Sequence, residues 1–329
     1  MRPPGSLLIA LVLPLLAPLP IYGSTRDLGQ VIELEPPSSC RGTCHTLEVT
    51  CPGVREAARA VLRVREARRS AGVDRGTVYL ATGGGGQGFW ADTYGRPAAK
   101  AIKKLRRKGF RTIEVSWEDL WLDAAPDLRE GAHRLACRPA TVAQWIHDRL
   151  HSGSSFCASG NSGGAAQVTY MLSHYGLGEI LDAVVASGGP PLSRMDLGCL
   201  GPQDPGLPPL VYGPSAKSLI DRSLGSFDAA GPCSSELESF RSVLEAASIA
   251  SGPLETYRFD TTSVWLVFGA DDNGSAVGQG ILFYERLVAA GAPAVGMRVV
   301  ANTPHAVPSA NKGARRIRHL LLDHCRPSE

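Results

Sequence analysis

The sequence predicts an α/β fold, a mostly parallel sheet with helices on both faces and a cap-like insertion before the last strands. Two observations carry this reading. Short apolar runs at residues 77–81, 111–115, 155–158, 183–187 and 264–268 alternate with helix-forming stretches, the rhythm of a parallel sheet covered on both faces. One of these runs leads into Gly160-Asn161-Ser162-Gly163-Gly164, which has the Gly-x-Ser-x-Gly spacing of a sharp strand-to-helix turn. Such a turn lifts one serine hydroxyl above the end of a sheet, and its glycines let strand and helix backbones approach closely.

The first 24 residues read as a secretory signal. A minimal basic start, Met1-Arg2, precedes an apolar run over 6–16, and small or turn-forming residues lead to a cleavage point near Gly23 or Ser24. Pro14, Pro18 and Pro20 break that run, which argues against a permanent membrane span. The mature chain, 25–329, is then a single domain, secreted to an extracellular or periplasmic space. Eight cysteines beyond the signal agree with an oxidising compartment. Cys199 and Cys233 bracket the Pro- and Gly-rich insertion and are the expected pair. Cys40, Cys44 and Cys51 beside His45 match no common zinc spacing, so no metal is expected.

Along the chain, residues 25–55 read as an irregular, disulfide-tied segment and 54–69 as a helix. Strand 77–81 runs into Thr82-Gly83-Gly84-Gly85-Gly86-Gln87-Gly88. A basic amphipathic helix ending at Gly109 follows. A helix over 141–150 precedes the Ser162 turn, and the helix after that turn stops at Gly176, a C-cap. The rhythm breaks over about 190–255, the cap-like insertion, with helical stretches at 218–224 and 234–250. It returns with strand 264–268, helix 277–290, strand 297–301 and helix 312–323.

The bulk numbers exclude some functions. Among 329 residues, 43% are hydrophobic and 20% charged, and the formal net charge of +3 gives no strong bias toward nucleic acid. Lys100, Lys103, Lys104, Arg106, Arg107 and Lys108 interleave with Ala101, Ile102 and Leu105 at helical spacing. That pattern reads as the wet face of an amphipathic helix rather than a polyanion-binding patch. Gly83, Gly85 and Gly88 spell a dinucleotide-type Gly-x-Gly-x-x-Gly. No acid stands about 20 residues on at a strand end, and Pro97 interrupts the helix that would hold a pyrophosphate.

A serine hydroxyl needs a base to take its proton and an acid to orient that base. His305 follows the strand near the C-terminus, on the loop Asn302-Thr303-Pro304-His305. Asp272 follows strand 264–268 through Gly269-Ala270-Asp271, with Asp271 the alternative acid. An oxyanion would be met by the backbone N–H of Gly163 at a helix N-terminus and by N–H groups of Gly85, Gly86 and Gln87. Phe89, Trp90, Trp117 and Trp121 follow strand ends, where lining an acyl pocket and packing in the core are equally expected.

In this order, Ser162, Asp272, His305 with a glycine-rich loop upstream, residues 75–325 resemble the α/β-hydrolase superfamily. The resemblance implies a serine esterase or lipase-like enzyme working through an acyl-enzyme, without metal or organic cofactor, on a small-molecule or polymeric ester. A peptidase or amidase on the same fold, or a binding protein on a hydrolase scaffold, are the alternatives. The sequence departs from lipase-like members at Thr82, where they often carry His. Neither substrate nor oligomeric state follows from it.

Overall fold

The computed structural model describes residues 26–40, 42–68, 72–201, 209–228 and 230–326. The signal expected at 1–24 lies outside them. Nine strands form one sheet in the order β1-β2-β3-β5-β4-β6-β7-β8-β9. The N-terminal strands β1 (Gln30–Leu34), β2 (Thr43–Thr50) and β3 (Ala58–Arg65) pair antiparallel, and β3 pairs antiparallel with β5. From β5 (Phe110–Trp117) through β4 (Gly76–Ala81), β6 (Ser155–Asn161), β7 (Ala183–Ser187), β8 (Ser263–Gly269) and β9 (Val295–Val300), all pairings are parallel.

Each parallel crossover carries a helix. These are α1 (Trp90–Arg107), the short α2 (Ala132–Leu135) with α3 (Cys137–Leu150), and α4 (Gly163–Tyr175). Between β7 and β8 come α5 (Met195–Leu200), α6 (Pro214–Ser223) and α7 (Arg241–Ala246); α8 (Ser275–Ala289) and α9 (Asn311–His324) complete the chain. The central strands are buried on both faces, so consecutive residues serve opposite cores. Tyr79 and Ala81 of β4 join the core under α3, α4 and α8, whereas Val78 and Leu80 join the core under α1 and α9.

Two sequence expectations are overturned. The irregular 25–55 segment contains β1 and β2, and the helix expected over 54–69 is the strand β3. In β3 the apolar residues Ala58, Ala60, Leu62 and Val64 are buried on one face, and of the other face only Arg63, paired with Glu114, is buried; this period of two outweighs the helix-favouring composition of the stretch. The helix expected over 234–250 is also shorter: a 3₁₀ turn at Glu238–Phe240 followed by α7. The strand, helix and C-cap expectations around Ser162 agree with the structure, and Gly176 ends α4 in the left-handed conformation (φ 68°).

Four disulfides use all eight cysteines: Cys40–Cys44, Cys51–Cys137, Cys157–Cys325 and the expected Cys199–Cys233. The thiols of the Cys40, Cys44, Cys51 trio are therefore consumed in bonds. Among the described residues no helix is long and apolar enough to cross a membrane. The β7–β8 segment is tied to the scaffold by polar side chains. Tyr170 of α4 donates to the Ala247 carbonyl (2.6 Å), Gln279 of α8 bonds the backbone of Arg194 and Leu210, and Arg222 grips Asp123 through two contacts of 2.6 Å.

His133 of α2 and His174 of α4 sit together, ring centroids 6.3 Å apart. Burial, then the positive charge of Arg26, holds each imidazole down at about 3. Below an unfolded value of about 6.5, the unfolded chain binds protons that the folded chain refuses, so this stability is complete above pH 6.5 and is lost as pH falls toward 3. The urea midpoint is expected to fall steadily from pH 6.5 to 4. A His174→Gln variant should show a shallower fall, by about 1.4 kcal/mol per pH unit at most. Identical slopes would refute this assignment.

Candidate active site

The turn at Ser162 begins as β6 ends and α4 starts. Ser162 holds φ 56°, ψ −118°, a strained conformation for a residue with a side chain. Its N–H donates to the Ser187 carbonyl (2.8 Å), and its carbonyl accepts from Ala166 N–H (3.0 Å), so both backbone groups are held. The flanking glycines are obligatory by contact. A β-carbon on Gly160 would lie 2.0 Å from the Gly164 carbonyl oxygen, and one on Gly163 would lie 2.0 Å from that of Gly84. This geometry raises the Ser162 hydroxyl, half-buried, at the C-terminal edge of the sheet.

His305 and Asp272 come together on the same edge. Asp272 follows β8 and His305 follows β9, two parallel neighbours in the sheet. The His305 Nδ1 and Asp272 Oδ2 atoms are 2.7 Å apart. The Asp272 side chain is 3% exposed and the His305 side chain 43%, so the carboxylate is the buried partner of the pair and the imidazole the half-exposed one. Burial works to raise the Asp272 carboxyl, but the His305 hydrogen bond, the Gly274 N–H and the His305 charge outweigh it, and it lies below the usual carboxylate range. The neighbouring Asp271 is exposed, and its N–H is donated to the Thr303 carbonyl. The elbow and the His305 loop meet at Gly188, where a β-carbon would touch both the His305 ring (3.4 Å) and Asn161 Oδ1 (3.2 Å).

The glycine loop after β4 lies against the elbow at Gly83 and Gly84. A β-carbon on Gly83 would approach that of Ser162 within 3.3 Å, and Gly84 is the residue that abuts Gly163. Of the N–H groups expected from sequence to meet an oxyanion, that of Gly86 is engaged within the loop. Its N–H is donated to the Gly83 carbonyl (3.0 Å), closing a turn inside the loop. Gly85 packs on Leu120, and the Gln87 side chain donates to the Glu118 carbonyl. Thr82 has a plain structural job, its hydroxyl reaching the Gln87 and Gly88 carbonyls to staple the loop.

Three side chains that organise the site were not singled out from sequence. Asn161 is 2% exposed, and its Oδ1 accepts the Val307 N–H (3.1 Å) and the Ser187 hydroxyl (3.0 Å). Its side chain also bonds Tyr94, whose hydroxyl accepts the Gly83 N–H (2.8 Å). Asn161 thus ties the His305 loop to the glycine loop through one amide beside the nucleophile position. The signal available in sequence was a polar residue between Gly160 and Ser162, where burial demands partners. Burial pushes the Tyr94 phenol up to about 12, with the two hydrogen bonds working the other way, so it stays neutral. Glu114, fully buried, receives Arg63, Arg65 and the Ala91 N–H and so fixes the start of α1 just past the glycine loop. Trp90, Trp117 and Trp121 belong to the core, while Phe89 is half-buried with the Arg63 guanidinium 4.1 Å above its ring.

Solved structures share this architecture. Est1E from Butyrivibrio proteoclasticus superposes with a TM-score of 0.53 at 11% identity, over 85% of this chain and 98% of its own. The brefeldin A esterase, a bacterial homologue of human hormone sensitive lipase, gives 0.53 at 16% identity, over 89% of this chain and 80% of that one. An acylaminoacyl peptidase from Pyrococcus horikoshii gives 0.53 at 11% identity, over 93% of this chain but 43% of the peptidase. The sequence matches no protein-family model and no curated protein. The likeness defines the class of scaffold: the chain has the α/β-hydrolase fold.

Replacing Asn161 by Ala would remove the acceptor shared by the Val307 N–H and the Ser187 hydroxyl, leaving each with one carbonyl, that of His305 and that of Gly160. Urea denaturation of Asn161→Ala is expected to show a loss of about 1–3 kcal/mol. A change inside measurement error would mean that the amide does not bridge the two loops.

Proposed function

We propose that the protein is a secreted serine hydrolase that cleaves carboxylic esters through an acyl-enzyme. The observation that carries this reading is the Asp272–His305 contact on the sheet edge that also raises Ser162. His305 is held by Nδ1, which leaves Nε2 to remove the Ser162 proton as the oxygen attacks the acyl carbon. Asp272 fixes the ring and stabilises its charged form. The Gly163 N–H, at the N-terminus of α4, and the glycine loop at Gly84 and Gly85 meet the developing oxyanion.

His305 then returns the proton to the leaving alkoxide, and the alcohol departs. Water, deprotonated by His305, attacks the acyl-enzyme, and the acid leaves as Ser162 recovers its proton. The names of the structural neighbours support an acyl-transfer enzyme, and esters are favoured because two of the three are described as esterase or lipase relatives or are known with ferulic acid bound. The four disulfides fit a secreted protein.

A fluorophosphonate probe is expected to label the wild-type protein and to fail on Ser162→Ala. Absence of wild-type labelling would leave a non-catalytic scaffold as the better reading. The acid is tested separately with p-nitrophenyl butyrate. Asp272→Asn should lower kcat by about 10³–10⁴-fold, and Asp271→Asn by less than about threefold. The reverse ranking would move the acid to Asp271.

A further inference from the structure

The basic run on α1 has a second half that is distant in sequence. α1 and α9 lie side by side on one face of the sheet, sharing a core in which Ala98, Ile102 and Leu105 meet Ile317, Leu320 and Leu321. Their outward faces are therefore presented together. From α1 come the exposed Lys100, Lys103, Lys104 and Arg107, and from α9 the exposed Lys312, Arg315 and Arg316.

None of these seven cations has an ion-pair partner among the described residues. Elsewhere Arg59, Arg63, Arg111, Arg194, Lys217, Arg222, Arg241 and Arg258 are each matched with a carboxylate, while cations such as Arg55 and Arg129 stand singly; what sets α1 and α9 apart is the clustering of seven on adjacent helices. In a chain of net charge +3, seven exposed cations on two adjacent helices concentrate positive charge on one face. It also works against the helix itself, because Lys100 with Lys104 and Lys103 with Arg107 are like charges one turn apart. Burial and the nearby Arg315 charge together depress the Arg318 guanidinium. A solvated helix face would gain from interleaved acids, and this one has none between Lys100 and Lys108.

We propose that the paired outer faces of α1 and α9 form a docking surface for an acidic polysaccharide, a linear polymer carrying carboxylate or sulfate groups. The two rows of cations run along helices of 18 and 14 residues, which suits an extended chain of repeating charge. Neither helix exposes a large apolar side chain that could enter a bilayer, and no exposed Phe, Tyr or Trp stands among the cations to stack a nucleic-acid base. The placement also has a use. α9 starts just after His305 and carries Lys312, Arg315 and Arg316 in its first two turns, so a polymer leaving this face at that end approaches the Ser162 edge, while the α1 cations lie in that helix's last turns, toward the opposite edge of the sheet. The purpose rests on the hydrolase reading above; the binding does not.

The test measures binding of the intact protein to polygalacturonate and to heparin by co-sedimentation or biolayer interferometry, across a salt series. Two variants are compared, each changing net charge by the same amount: Lys100→Glu/Lys104→Glu/Arg315→Glu/Arg316→Glu on this face, and Arg55→Glu/Arg59→Glu/Arg129→Glu/Arg258→Glu elsewhere. Folding of each is checked by circular dichroism. The wild type is expected to bind at low salt with strong salt dependence. The face variant should bind at least about tenfold more weakly, its log-log salt slope shallower by about 3, while the control variant changes less than about threefold.

Equal losses in both variants, or no wild-type binding at 50 mM salt ("50 mM" being about the low-salt end of such a series), would overturn the proposal. So would tighter binding to phosphatidylserine vesicles or to duplex DNA than to either polysaccharide. Turnover of p-nitrophenyl butyrate by the face variant should match wild type. If neither protein turns over ester but the binding contrast holds, the hydrolase reading fails and the docking surface stands.

Discussion

The backbone at Ser162 is the constraint around which the rest is arranged. A positive φ on a residue with a side chain costs on the order of 1–3 kcal/mol, and it persists only where the surroundings leave no alternative. Here the surroundings are explicit. β6 delivers the chain into the centre of the sheet, Ser187 and Ala166 hold both backbone groups of the turn, and α4 must start at once because Gly163 is pressed against Gly84. The glycine loop cannot move away without releasing the elbow, so Ser162 and the glycine loop are one mechanical unit. The His305 loop joins that unit through Asn161 and Gly188.

The legible part of this protein in its sequence was the part governed by local patterns. The alternation of buried strands, the glycines of the turn and the C-cap at Gly176 each leave a short-range signature. The segment 58–65 defeated the same reasoning because its arginines favour a helix by propensity, and its period-two burial makes sense only between β2 and β5, strands far apart in sequence. The glycine loop was located correctly as a loop, but its internal hydrogen bonds were not legible. Which N–H is spent on an internal turn is decided by the loop's own fold, and the Gly86–Gly83 bond has no counterpart in composition.

The polar side chains of the interior divide the labour in a consistent way. Asn161, Tyr94 and Thr82 each satisfy backbone groups of loops, so that segments without secondary structure are held as firmly as strands. Glu114 does the same with charge: two arginines neutralise it, and its oxygen caps the first turn of α1. The result is that the edge carrying Ser162, Asp272 and His305 is built from loops whose backbone groups are held by hydrogen bonds. Within the proposed triad only the Asp272 carboxylate is shut away from solvent; the imidazole and Ser162 are the groups that would meet substrate and water in turn.

The Cys157–Cys325 bond links the central strand that ends in the elbow to the last helix, closing a span of 168 residues. Ser162, Asp272 and His305 all lie inside that closed span. A single cut by a protease anywhere between the elbow and the base, the surface segments between β7 and β8 included, therefore yields two pieces that cannot diffuse apart while the bond is oxidised. The three groups would remain tethered to one another through the covalent ring, and only reduction would let the halves separate.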